Sequence, residues 1–285
     1  MTFLLKRLLK WSLLKNDVII KGLYNMYYTY KRVIECPNSI EVEFYKSIRE
    51  VGKNYGGRGV NRKLTPTKQK IANEIRTTRK WERLIDCNFC ERDFFCRFSA
   101  PYGTFTSEKQ FRNEVRNWMT RIKRRLKGER ELKYIGFCEC GKSGKNWHLH
   151  IILEREVAEI AAKCWHYRNG GVNFTPLWEN HNYEKLADYI HKDLSPTKED
   201  KEDEFAMQQT AKKRMMASRN LLRPVVKVRR ATRKEIRRLE KGMELDPPKE
   251  GFYPVKDEMA KVINDVTGAS WFFRFNRIAY RTWEN

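Results

Sequence analysis

Glu139-Cys140-Gly141-Lys142-Ser143-Gly144-Lys145-Asn146-Trp147-His148-Leu149-His150-Ile151-Ile152-Leu153 decides how this chain folds and where its chemistry lies. A strand sends alternate side chains to one face. His148 and His150 therefore project together, while Leu149, Ile151 and Leu153 turn to a core. Gly141 to Asn146 has the composition of a hairpin loop. A turn between Ser143 and Gly144 sets Glu139 opposite His148. Two imidazoles and a carboxylate then converge on one sheet face, the donor set of an open divalent-metal site. His-x-His alone equally fits two surface histidines on a half-buried strand, so the rest of the chain must discriminate.

Outward from this stretch, Phe94-Phe95-Cys96-Arg97-Phe98 reads as a strand, broken by Pro101-Tyr102-Gly103. Ser107 with Gln110 predicts a capping box at a helix start. Phe111, Val115, Trp118, Met119, Ile122 and Leu126 then recur at helical spacing, with Arg112, Arg116, Lys123 and Lys127 on the other face. Strands over 133–140 and 147–153 and a helix over 183–193 follow; the segment to about 178 shows no clear pattern. This order predicts an α+β fold, a central antiparallel sheet with helices mainly on one face. Residues 39–45 alternate as a strand, 52–63 form a glycine-rich basic loop, and a helix runs from Pro66 to Ile85. Pro196 and the acidic run 199–204 read as a linker. A helix near Lys212, an extended piece over 221–228 broken by Pro224, and a basic helix over 232–239 come next, and the aromatic end at Trp271-Phe272-Phe273 carries no pattern. The expected division is a basic aromatic lead-in (1–38), a domain over 39–195 with its core at 93–193, and a basic extension (196–285).

The 285 residues carry 59 Lys and Arg against 36 Asp and Glu, a formal charge of +23. That surplus calls for a polyanionic partner, nucleic acid first and an anionic membrane surface second. Aromatic content of 13% and apolar content of 40% argue for a real core rather than a disordered basic tail. Seven irregularly spaced cysteines fit a reducing compartment better than a disulfide framework. Lys6, Arg7 and Lys10 interrupt the apolar N-terminal run, so neither a secretory segment nor a membrane span is expected there. Between Lys212 and Lys241, thirteen Lys and Arg face two acids, the footprint of a phosphate-tracking surface. Candidate DNA contacts are Lys142, Lys145, Arg214, Arg219, Arg229 and Arg230; Trp147, Trp165 and Tyr102 are candidates for base stacking.

A metal that polarises phosphate needs a nucleophile, and Leu186-Ala187-Asp188-Tyr189-Ile190-His191-Lys192-Asp193 offers one. On a helix Tyr189 and Lys192 share a face, and Leu186 and Ile190 anchor it to the sheet. A phenol with a pKa of about 10 attacks poorly at neutral pH, so a nearby cation and a metal would have to favour the phenolate. Tyr183 is the alternative nucleophile, six residues earlier.

The ordered set of the 94–98 strand, Glu139, His148-Leu149-His150 and Tyr189-Ile190-His191-Lys192 resembles HUH-type rolling-circle replication initiators. It is most similar to the phage gene II-like replication proteins of phages and plasmids of Gram-positive bacteria. The likeness extends more loosely to residues 39–44, Ser218-Arg219-Asn220-Leu221 and Pro224. The resemblance implies an HUH endonuclease sheet of ferredoxin- or RRM-like descent. It further implies that Glu139, His148 and His150 hold Mg²⁺ or Mn²⁺, that Tyr189 attacks a phosphate of single-stranded origin DNA, and that Lys192 steadies the phosphate or the phenolate. The products would be a 5′-phosphotyrosine and a free 3′-OH, rejoined without ATP. Host helicase and polymerase would be partners, in a bacterial cytoplasm. A non-catalytic DNA-binding protein on the same fold, or a single-tyrosine transposase or relaxase, is the alternative.

Two other signals are set aside on physical grounds. Gly136 to Ser143 satisfies the Walker A expression, yet Phe137 and Glu139 occupy its interior and a strand follows where a P-loop feeds a helix. Cys87 and Cys90 with Cys138 and Cys140 could in principle make a four-thiolate zinc site; Cys-x-Cys is an unusual half, and free buried thiols are the default.

Overall fold

The helix following Phe105 shows how local sequence sets the architecture. The Ser107 hydroxyl accepts from the Gln110 backbone N–H and starts helix α2 (Glu108–Leu126). Gln110 reaches back one residue further than a capping box requires, accepting from the Thr106 N–H at 3.0 Å and its hydroxyl at 2.8 Å. The helix ends where Lys127 adopts φ 49° and Gly128 φ 78°. Its buried face is Phe111, Val115, Trp118, Met119, Ile122 and Leu126, as the spacing predicted.

The computed structural model describes residues 28–47, 67–141, 145–165, 170–177, 183–192, 215–264 and 268–278, with backbone alone at 67–72, 188, 190–192, 263–264 and 268. The fold is α+β, with two antiparallel sheets and five helices among the described residues. They fall into two compact units, one drawn from 64–224 and the other from 1–63 with 225–285.

In the 64–224 unit a five-stranded sheet has the order β6-β3-β5-β4-β7, from β3 (Phe94–Ser99), β4 (Tyr134–Cys140), β5 (Trp147–Leu153), β6 (Val172–Pro176) and β7 (Met215–Ala217). Odd-numbered side chains of β5 meet α2 and α3 (Arg155–Cys164), where the Trp118 indole donates to the Ala161 carbonyl at 2.9 Å. Buried Asp93 ties the entry of β3 to the start of α3, accepting from the Cys90 and Arg155 N–H groups at 2.9 and 3.1 Å. The opposite face is covered as well. Ile135, Phe137 and Ile152 pack with Ile85 of α1 (Thr67–Asp86) and Leu186 of α4 (Glu184–Lys192). Helices therefore lie on both faces, not mainly on one, because β5 is apolar at Ile152 as well as at its odd positions. Asn88, just past α1, binds the Leu222 carbonyl and N–H at 2.9 and 2.8 Å, clipping residues 218–222 to the unit.

The second unit is a six-stranded sheet, β10-β11-β2-β1-β8 with β9 on β11, from β1 (Tyr28–Glu35), β2 (Ser39–Ser47), β8 (Val225–Arg230), β9 (Phe252–Pro254), β10 (Ala260–Asn264) and β11 (Gly268–Arg277). Ile40, Val42 and Phe44 pack with Trp271, Phe273 and Phe275 and with Leu239 of α5 (Arg233–Glu240).

Several expectations are corrected by this pairing. The 39–47 strand does not sit with the histidine strands; it pairs with β1, inside the expected lead-in, and with β11. Residues 225–278 complete that sheet rather than forming an extension, whereas β7, expected as a helix near Lys212, joins the first sheet beside β4. The N-terminal run, the 52–63 loop and the 199–204 acidic cluster lie outside the described residues.

Candidate active site

The β4–β5 hairpin has the predicted register: Glu139 pairs with His148 and Cys140 with Trp147, closed by Gly141 N–H donating to Asn146 O at 2.8 Å. On β3, Ser99 pairs with His148 and Arg97 with His150. Glu139, Phe137, His148, His150, Arg97, Ser99 and Phe95 thus share one face.

His150 is buried and stacked, its ring 4.9 Å from Phe137 at 9° and 5.7 Å from Phe95 at 25°. Its Nε2 stands 2.8 Å from Glu139 Oε2. Its Nδ1 has no hydrogen-bond partner among the described residues. An unsatisfied buried nitrogen costs about 1–3 kcal/mol, which a ligand at this position would recover. The neighbouring His150 imidazole, with His148 and Arg97 adding, holds the Glu139 carboxyl below the usual carboxylate range despite partial burial.

His148 places Nδ1 2.9 Å from the Ser99 hydroxyl, leaving Nε2 for another partner. Burial first, then His150 and Arg97, lowers its pKa and favours the neutral ring that binds metals. The two histidine rings are 6.4 Å apart. Among the described residues no three His, Cys, Asp or Glu side chains are close enough to hold one ion as they stand. The donor chemistry nonetheless fits a divalent metal: a carboxylate held in its ionised form against an imidazole whose other nitrogen has no partner among the described residues, and a second imidazole beside them.

Tyr189 stands over this face. Its ring lies 6.0 Å from His150, 6.1 Å from Phe95 and 6.2 Å from Phe137, and it is 41% exposed. Helix α4 is anchored by buried Leu186 and Ala187, which leaves Tyr189 at the edge of the apolar contact. Lys192 closes the same helix, with its side chain outside the described atoms. Tyr183 is fully buried, and burial, with Asp86, Cys90, Glu91 and Asp93 nearby, pushes its hydroxyl far up. It has neither the access nor the acidity of a nucleophile.

Other expectations separate just as clearly. Cys138 and Cys140 alternate away from Glu139 onto the α2 face, where burial pushes the Cys138 thiol up to about 12. The sheet stands between Cys138 and α1, whose end carries Cys87 and Cys90, so no four-thiolate site forms. Gly136 lies flat on β5, where a Cβ would meet the His150 carbonyl at 2.6 Å; the Walker-like letters are strand. Trp147 and Trp165 are core residues, stacked on Phe111 and hydrogen-bonded to the Ser99 carbonyl respectively, while Tyr102 is 68% exposed.

Among the candidate DNA contacts, Lys145 and Arg219 are exposed in the 64–224 unit. Arg229 and Arg230 belong to the other sheet. The Arg229 fork is taken by Glu235 at 2.6 and 2.9 Å, and the Arg230 guanidinium lies 4.1 Å over the Tyr28 ring. Lys142 and Arg214 lie outside the described residues. Arg97 and Ser99 were not singled out from sequence. The available signal was a cation at the centre of an apolar strand, on the parity that a strand turns toward the histidines.

Residues 102–198, about a third of the chain, match the family model for replication-associated proteins of the ORF2 and gene II protein type. The matched segment contains Glu139, His148, His150 and Tyr189, and the match supports a role in DNA replication. No curated protein and no solved structure matches the chain.

Proposed function

We propose that the 64–224 unit nicks and rejoins single-stranded DNA to initiate rolling-circle replication, with Tyr189 as nucleophile. The observation that carries this reading is the placement of an exposed tyrosine ring 6.0 Å from a buried histidine that touches a carboxylate.

Glu139, His150 and His148, the last through the Nε2 that the Ser99 contact leaves open, would hold Mg²⁺ or Mn²⁺. Such an ion, when bound, polarises the phosphoryl oxygens. Arg97, on the same face, neutralises the remaining phosphate charge, and Lys192 supplies a cation on the nucleophile's own helix. The Tyr189 phenolate oxygen bonds to phosphorus as the bond to the 3′ oxygen breaks. That oxygen leaves as a 3′-OH after taking a proton, and the tyrosine keeps the 5′-phosphate. One phosphodiester replaces another, so the reverse attack rejoins the strand without ATP.

The test is a denaturing gel of full-length protein with single-stranded origin DNA and Mn²⁺ or Mg²⁺, beside Tyr189→Phe. A DNA-linked protein band that requires metal and disappears in Tyr189→Phe is expected. Tight DNA binding with no linked band under either metal would instead identify a non-catalytic DNA-binding protein.

A further inference from the structure

We infer that an apolar pocket beside Tyr189 seats one unpaired nucleobase next to the phosphate that is cut. The inference deepens the nickase reading and rests on it. The pocket, about 310 Å³, is walled by Phe95, Thr175, Pro176, Leu177, Leu186 and Tyr189. It opens between the β6–β3 edge and α4, and its wall Phe95 is also the ring that stacks on His150 at 5.7 Å. The pocket and the donor pair are thus two sides of one aromatic side chain.

The walls select the occupant. Among the described residues they present no cation, so a phosphate would lose its hydration there without compensation. They do present flat and branched apolar surface, which suits a base face. The Thr175 hydroxyl is engaged with Asn173 Oδ1 at 3.3 Å, so little remains to read base edges. Arg97, two residues along β3 from Phe95 and exposed, stands where the attached phosphate would lie. A formal charge of +23 favours an occupant carried on a polyanion over a lipid chain or an apolar peptide side chain. A pocket of this kind takes a base because it is unpaired, not because of its identity; a base in a duplex would first have to leave its stack.

The experiment compares full-length protein binding, in EDTA, to oligothymidylate of about twelve nucleotides and to an abasic strand with the same phosphates. Base stacking predicts roughly five- to hundredfold tighter binding of oligothymidylate. Thr175 is on an exposed edge strand, so Thr175→Trp fills the pocket from outside. It is expected to bring oligothymidylate down to the affinity of the abasic strand. An unchanged preference in folded Thr175→Trp, or none in the wild type, overturns the inference. If Thr175→Trp does not fold, 2-aminopurine walked through the strand decides: quenching at one position by the wild type supports the seat, and uniform fluorescence overturns it. A Tyr189-dependent linked band with unchanged base preference in Thr175→Trp sinks the pocket alone. A pocket-dependent preference with no linked band sinks the nickase reading alone.

Discussion

The His150 ring is clamped between Phe137 and Phe95, with Nε2 against the Glu139 carboxylate and Nδ1 buried without a partner among the described residues. Alternation along β5 showed from sequence that this ring shares a face with His148; that its neighbours are aromatic depends on β3 and β4, which strand pairing brings in. Ser99 is the complementary case. Its hydroxyl fixes His148 Nδ1, and outer partners of this kind are worth about 10–100-fold in metal affinity. Ser99→Ala is expected to weaken Mn²⁺ binding by about that factor, read by calorimetry without DNA, and Ser99→Thr to restore it. Unchanged affinity would mean that the Ser99 contact does not prepare the ligand. Tyr183 and Tyr189 show what sequence left open: both are on or beside one helix, and only burial tells the inert phenol from the accessible one.

At the scale of elements, α2 was fully legible, because six apolar residues at helical spacing leave no other way to bury them. Trp118 joins that helix to α3 through its indole bond, inside a closed core. Trp118→Ala is expected to cost about 3–5 kcal/mol, measured by chemical denaturation of the whole chain. Helix α5 in the other unit is held by charge. Its capping box pairs Thr232 with Glu235, and Glu235 also receives Arg229 and Lys31. Arg229 most of all, aided by the Thr232 cap and Lys31, drives the Glu235 carboxyl far below its ordinary value, while Lys249 and Lys227 lower Glu35. Both are depressed in the fold. Their stabilisation is therefore complete above the unfolded carboxylate value of about 4.3 and is lost as pH falls below it. The thermal midpoint is expected to fall between about pH 5 and 3, and to fall less steeply in Glu235→Gln. Equal slopes would show that this ion cluster contributes nothing. Thr232-x-x-Glu235 is a local spacing not singled out from sequence; the partners of Glu235 come from as far as 204 residues away and left no mark.

For the whole molecule, the excess of cations means that DNA affinity must fall with salt, by about 0.7 in log–log slope per phosphate neutralised on a single strand. Arg219 is exposed, on a segment held down by Asn88 and by the Ser218 hydroxyl accepting from the Tyr134 N–H at 3.1 Å. Arg219→Ala is expected to reduce the salt slope by about 0.7 and to weaken binding alike for all sequences. An unchanged slope would remove Arg219 from the DNA path. Arg229 and Arg230 show why charge counting alone misassigns such contacts: a fork paired with Glu235 and a guanidinium on Tyr28 are already engaged. Among the described residues no helix is long and apolar enough to cross a membrane.

The sequence by itself determined the histidine hairpin, its register and the helix that covers one of its faces. Each is encoded by alternation, turn composition or helical spacing within about twenty residues. It also fixed the demand for a polyanion, which is a property of the summed charge. Tertiary structure alone decided that residues 28–47 and 225–278 share a sheet, that Met215–Ala217 pairs with β4, and that Arg97 faces the histidines. Strand partners are chosen by backbone hydrogen bonds and by burial against distant segments, and neither has a local period to read. The pocket beside Tyr189 belongs to that second class, since β3, β6 and α4 make its walls only when they meet.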